Sequence, residues 1–285
     1  MFHQIEYFDV YILCQAAEGL LTSGFEVTVN DFFESFREGY GDQNAYKKYS
    51  LLHAYCEWII RQNMWNEDEN IVCSVREKYE MRKQDAEIGW ENVEEIIGTL
   101  WIDHALNYYH DTKYDFLKWV ARESGKAVDQ LSDTELEDFR YDYLHEIQEE
   151  DVFDSFLTQL SGEMFFVLFQ NRSFLDSFNY RLATYNQQIK ARIHTPKWAQ
   201  RAVFYRDRGC CAFCGKDLSG TVRIPDDREI HYDHIVPLED NGVNDISNLQ
   251  LSCQDCNLTK NKDTETSSLY QLWYEFDSDM DIRDQ

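Results

Sequence analysis

No proline interrupts the chain before Pro196, and all three prolines, Pro196, Pro225 and Pro237, fall in the last third of its 285 residues. Proline breaks a helix interior by removing a backbone donor and clashing with the preceding turn, so a proline-free run of this length leaves helices free to form throughout. Apolar residues recur there at the spacing of one helical face. Leu51, Leu52, Tyr55, Trp58 and Ile59 form one such set, and Val93, Ile96, Ile97, Leu100 and Trp101 a second. Phe153, Phe156, Leu157, Leu160, Met164, Val167 and Leu168 form a third. Ser132 followed by Glu135 reads as a capping box, with Leu131 placed to staple onto Leu136. With 43% hydrophobic and 15% aromatic residues the chain can fill a sizeable core, which excludes a disordered protein.

The pattern changes near residues 190–195. Thr195 suits a helix N-cap, Pro196 the first helical position, and Gly209 the end of a helix over 197–208. Beyond it come glycines, prolines, cysteines and short β-like runs. The expected architecture is mainly α: a large all-helical domain over residues 1–190, then a small domain over 191–285 that ends in an acidic tail. Charge follows the same division. Residues 1–190 carry a net −20, residues 191–262 a net of zero, and residues 263–285 a net −6. Within the small domain Arg192, Lys197, Arg201, Arg206 and Arg208 form a basic run opposed only by Asp207. Phosphate affinity depends on such local patches as well as on the total charge.

Eight cysteines divide in the same way. Cys14, Cys56 and Cys73 are scattered and read as small buried apolar residues. Cys211-x-x-Cys214 and Cys253-x-x-Cys256 supply two knuckles, a spacing that presents four thiolates to one structural Zn²⁺. Cys210 offers an alternative to Cys211 with a longer spacer.

Between and after the knuckles lie Ile230-His231-Tyr232-Asp233-His234-Ile235-Val236-Pro237, then Asn248-Leu249, then Cys256-Asn257-Leu258-Thr259-Lys260. In that order and with two C-x-x-C pairs, the segment 193–262 resembles the zinc-containing branch of the HNH endonuclease family, as an H-N-N variant. The resemblance implies a ββα-metal fold: a first strand ending in Asp233-His234, a second running through Leu249 to Ser252, and a helix from near Asp255. It implies that His234 is the general base and that Asp233 and Asn257 hold a catalytic Mg²⁺ or Mn²⁺. Asn248 is implied to orient the His234 loop through backbone hydrogen bonds. Cys211, Cys214, Cys253 and Cys256 are the implied ligands of a structural Zn²⁺. His231 shares a strand face with Asp233 but has no role in the family pattern. Arg201, Arg208, Lys260 and Lys262 are candidate phosphate contacts.

The implied activity is metal-dependent hydrolysis of phosphodiester bonds in nucleic acid, most naturally DNA, leaving 5′-phosphate and 3′-hydroxyl ends. A microbial defence or mobile-element setting fits a nuclease joined to an unfamiliar helical domain. The competing readings are a zinc-stabilised scaffold that does not cut and an acidic mimic of DNA. The acidic helical domain would repel DNA, so a protein partner or self-association through residues 1–190, with restraint of the nuclease, is the expectation for it. The N-terminus lacks a basic and apolar leader and no stretch is apolar enough to span a bilayer. A cytoplasmic protein without membrane contact is expected.

Overall fold

The computed structural model describes residues 9–22, 30–34, 45–65, 71–88, 99–110, 112–186, 191–220, 229–261, 263–264 and 266. The expected helical positions Val93, Ile96 and Ile97, together with Lys262 and nearly all of the acidic tail, lie outside the described residues. The protein is mostly helical, with α1 Val10–Thr22, α2 Leu51–Trp65, α3 Ile71–Ile88, α4 Trp101–His110, α5 Phe116–Ser124 and α6 Asp133–Gln148. There follow α7 Asp151–Leu168, α8 Arg172–Tyr185, α9 Lys197–Arg206, β1 Ile230–His234, β2 Leu249–Cys253 and α10 Gln254–Lys260. Among the described residues the one sheet is the β1–β2 pair, and no single helix is long and apolar enough to cross a membrane. The chain divides into two compact units, Met1–Leu13 with Cys56–Glu163, and Cys14–Tyr55 with Met164–Gln285.

In the first unit Phe153, Phe156, Leu157 and Leu160 of α7, read as one helical face, are each at most 2% exposed, whereas Trp58 and Trp101 of the other faces are half-buried. The α6 N-terminus carries the expected capping box. Ser132 Oγ accepts from the Glu135 amide at 3.2 Å, and a Glu135 carboxylate oxygen accepts from the Ser132 amide at 2.8 Å. Asp103 is fully buried on α4. One of its oxygens accepts from the amides of Thr99, Leu100 and Phe116, and the other from the Tyr143 hydroxyl at 2.6 Å. This one side chain thus ties the starts of α4 and α5 to α6. Cys73 departs from the expectation of a buried thiol. It lies exposed on α3 between the buried Ile71 and Val75, whereas Cys14 and Cys56 are buried as expected.

The second unit is built on an aromatic core in which Phe33, Tyr55, Phe174 and Phe178 pack ring to ring. Residues well before position 190 reach the hairpin region from here. Asn179 on α8 donates to the Ser247 carbonyl at 2.9 Å, and Asp245 accepts from the Leu51 amide at the start of α2 at 3.0 Å. Helix α9 starts after Pro196, which holds the N-cap position itself, and stops at Arg206, two residues short of the expected end. The cause is Asp207, which turns inward, with no exposed surface, to meet Arg172 at 3.0 Å and Arg206 at 2.8 Å. Arg208 then takes a left-handed φ of 56° and Gly209 one of 65°. A Cβ at Gly209 would stand 2.7 Å from Cβ of Ser219 and 2.9 Å from the Phe204 ring, so only glycine fits.

Candidate active site and zinc cluster

The first cysteine knuckle is a tight turn after α9. The Cys211 amide donates to the Lys216 carbonyl at 2.9 Å and the Gly215 amide to the Cys211 carbonyl at 3.0 Å. The Ala212 amide donates to the Leu251 carbonyl at 2.7 Å, which ties this turn to β2. Cys253 ends β2 and Cys256 lies in the first turn of α10. The structure brings the four sulfurs of Cys211, Cys214, Cys253 and Cys256 within 4.8 Å of one another. Two thiolates bound tetrahedrally to Zn²⁺ at about 2.3 Å stand about 3.8 Å apart. The Cys214 and Cys253 sulfurs are at 3.8 Å. Four thiolates in this arrangement fit a structural zinc. Cys210 is not in the cluster: it pairs with Asp217 in an isolated bridge and its sulfur meets the Arg208 carbonyl.

The strands are antiparallel, with His231 opposite Ser252, Asp233 opposite Gln250, and His234 opposite Leu249. Side chains alternate between faces. His231 and Asp233 therefore share a face with Ser252 and Gln250, while Tyr232 and His234 lie on the other. On the first face Asp233 is 8% exposed and accepts from Gln250 Nε2 at 3.3 Å. Lys260, on the last turn of α10, is buried, with Nζ 3.1 Å from Asp233 Oδ2 and donating to the His234 carbonyl at 2.8 Å. One turn earlier on α10, Asn257 Nδ2 lies 3.5 Å from His231 Nδ1. The Ser252 hydroxyl is buried and has no hydrogen-bond partner among the described residues. A carboxylate, an amide and an orphaned hydroxyl on one polar face make a donor set that a hard divalent ion fits.

His234 ends β1 and is 6% exposed. Its Nε2 is 3.2 Å from the Tyr46 hydroxyl. Burial pushes the imidazole down to about 4, helped by the charges of Arg192 and Lys260 and opposed by a hydrogen bond that the ring donates to Asn244. The ring is therefore neutral at pH 7. The loop that follows is held by Asn248, itself fully buried. Its Oδ1 accepts from the Val236 amide at 2.8 Å, and its Nδ2 donates to the Val236 and Val243 carbonyls at 3.0 Å each. Within the same loop Gly242 passes so close to the backbone that a Cβ there would lie 2.1 Å from the Val236 carbonyl oxygen.

Arg201 and Arg208 lie on the exposed surface. Lys260 does not; it is 3% exposed and committed to Asp233 and His234, a placement that leaves no reach to a phosphate at the surface. Its helical face could have been read from the sequence, because Lys260 follows Asn257 by three residues, but its burial could not. Arg206 likewise leaves the basic run for the buried pair with Asp207. Tyr46 carries no local signal at all, standing 188 residues from its partner.

A hairpin and helix clamped by four thiolates, with Asp-His at the end of the first strand, define a zinc-knuckle ββα module. A family model described as HNH endonuclease matches residues 211–263. The C-terminal part of the chain thus carries an HNH endonuclease domain. No curated protein and no solved structure matches the chain.

Proposed function

We propose that the protein is an endonuclease that hydrolyses phosphodiester bonds in DNA with Mg²⁺ or Mn²⁺, acting in the cytoplasm as part of a microbial defence or mobile-element system. The HNH domain itself suggests a metal-dependent nuclease. The observation that carries the reading is the joint placement of Asp233 and His234 on consecutive positions of β1, with Asn257 on the helix packed against that strand.

In this mechanism neutral His234 takes the proton of a water molecule as its oxygen attacks phosphorus; the new P–O bond forms as the bond to the 3′ oxygen breaks. Asp233 and Asn257 would hold the divalent ion, which would stabilise negative charge on the phosphate and the leaving oxygen. Asn248 fixes the backbone beyond His234, and Lys260 balances the Asp233 charge. Arg201 and Arg208 offer phosphate contacts from the surface.

Restraint of the nuclease belongs to the same reading. The Tyr46 hydroxyl sits at hydrogen-bond distance from the nitrogen that must receive the proton, where an attacking water would stand. Cleavage of plasmid and of oligonucleotides with Mg²⁺ or Mn²⁺ tests both parts. His234→Ala is expected to lower the rate about 10²–10⁴-fold, and Tyr46→Ala to raise it. Unchanged cleavage in His234→Ala would remove the enzyme reading. A loss in Tyr46→Ala as large as that in His234→Ala would make the tyrosine part of the machinery instead of its cover.

A further inference from the structure

We infer that His231 is a third protein ligand of the divalent ion held by Asp233 and Asn257, and that its imidazole biases the site toward Mn²⁺ over Mg²⁺. The inference rests on the nuclease reading and adds to it a residue and a metal preference that the HNH pattern does not supply.

Three observations carry it. His231 and Asp233 are two apart on β1 and so share one face of the hairpin. The Asn257 amide, from the helix on that face, meets the His231 ring nitrogen Nδ1 at 3.5 Å. Rotation of the amide by half a turn exchanges its nitrogen for its oxygen at no steric cost. Two donors at that separation can share one ion, since neighbouring ligands at about 2.1–2.3 Å from a metal stand about 3 Å apart. The third observation is directly across the hairpin from His231, where the buried Ser252 hydroxyl lacks a hydrogen-bond partner among the described residues. A buried hydroxyl in that condition marks a place where a polar species belongs, and a metal-bound water would satisfy it.

Metal preference follows from the ligand types. Mg²⁺ takes oxygen ligands and gives up its water shell reluctantly. An imidazole nitrogen favours first-row transition ions. A site of one carboxylate, one amide oxygen and one imidazole is thus better suited to Mn²⁺ than a site with two oxygens alone.

The test uses untagged, full-length, zinc-loaded protein titrated with Mn²⁺ and read by electron paramagnetic resonance, with pulsed spectra of the bound ion to detect ¹⁴N coupling. The wild type is expected to show imidazole nitrogen coupling and to bind Mn²⁺ more tightly than Mg²⁺. The coupling is expected to survive His234→Ala and to vanish in His231→Gln, with Mn²⁺ affinity falling roughly tenfold or more and zinc content unchanged. Absence of nitrogen coupling in the wild type, or its loss in His234→Ala, overturns the inference whether or not His231→Gln folds. Should Asp233→Ala abolish Mn²⁺ binding while His231→Gln leaves affinity and spectrum intact, the inference fails and the nuclease reading stands. A wild-type protein that binds no Mn²⁺ or Mg²⁺ at all would end both.

Discussion

Asp103 in one compact unit and Asp207 in the other are both buried completely, yet they are held in opposite ways. Asp103 is surrounded by dipoles: three amides and a tyrosine hydroxyl. Burial raises its carboxyl above the ordinary value, and the hydrogen bonds from Leu100, Tyr143 and Phe116 only partly oppose that. Asp207 suffers the same burial, but the charge and hydrogen bond of Arg206, with Arg172 and the Leu251 amide, more than offset it and hold the carboxyl below the ordinary value. The first arrangement locks the starts of two helices to a third. The second joins α8, α9 and β2 beneath the hairpin, and so positions the strand partner of the Asp-His pair. Among the described residues, the ion pairs most deeply buried on both sides, those of Asp207 and the Lys260–Asp233 pair, lie where the site is built.

The contrast can be broken most forcefully by removing zinc. A strong chelator should unfold the hairpin region, since a structural zinc site contributes on the order of 10 kcal/mol to a small metal-stapled module. Hydrogen exchange is expected to rise sharply in β1, β2 and α10 while amides around Asp103 stay protected; equal loss in both places would show that the sulfurs staple nothing. Next in size, Asp207→Ala should cost about 3–5 kcal/mol, because two guanidinium groups are left buried without their carboxylate. Urea denaturation measures it. The pH dependence has a definite sign: a depressed carboxyl contributes stability above 3.8 that is lost as pH falls through its folded value. The gap between wild type and variant should therefore hold from neutrality down to that point and close below it.

Asp103→Asn should cost less, about 1–3 kcal/mol, since it keeps the shape and one acceptor. Its pH dependence should run the other way. A raised carboxyl contributes fully below 3.8 and loses that contribution as pH rises through its folded value, so the cost of the substitution should grow on acidification. Parallel pH profiles for the two variants would erase the distinction drawn between dipoles and charges.

Features written in short spacings were legible from the sequence. The Ser132–Glu135 capping box, the end of β1, the start of β2, the start of α10 to within a residue and the Cys211 knuckle depend on neighbours a few residues apart. What was not legible depends on contacts that only the fold creates. Asp207 was a stray acid in a basic run until Arg172, 35 residues earlier, reached it. The burial of Lys260, the cover that Tyr46 gives His234, and the exposure of Cys73 are tertiary facts of the same kind. Asn257 and His231 stood in plain view in the sequence, but their meeting depends on α10 lying against β1, a helix-to-strand packing that spacing alone does not specify.

Lys260 has one further effect. By neutralising Asp233 and anchoring the end of β1 with a single ammonium group, it supplies in advance the positive charge that a divalent cation would otherwise have to bring. On the proposed function, the hairpin could thus mature on zinc alone, with its buried acid balanced before a divalent ion arrives. Assembly of the scaffold and arming of the proposed site would then be separate events, each answerable to a different ion supply.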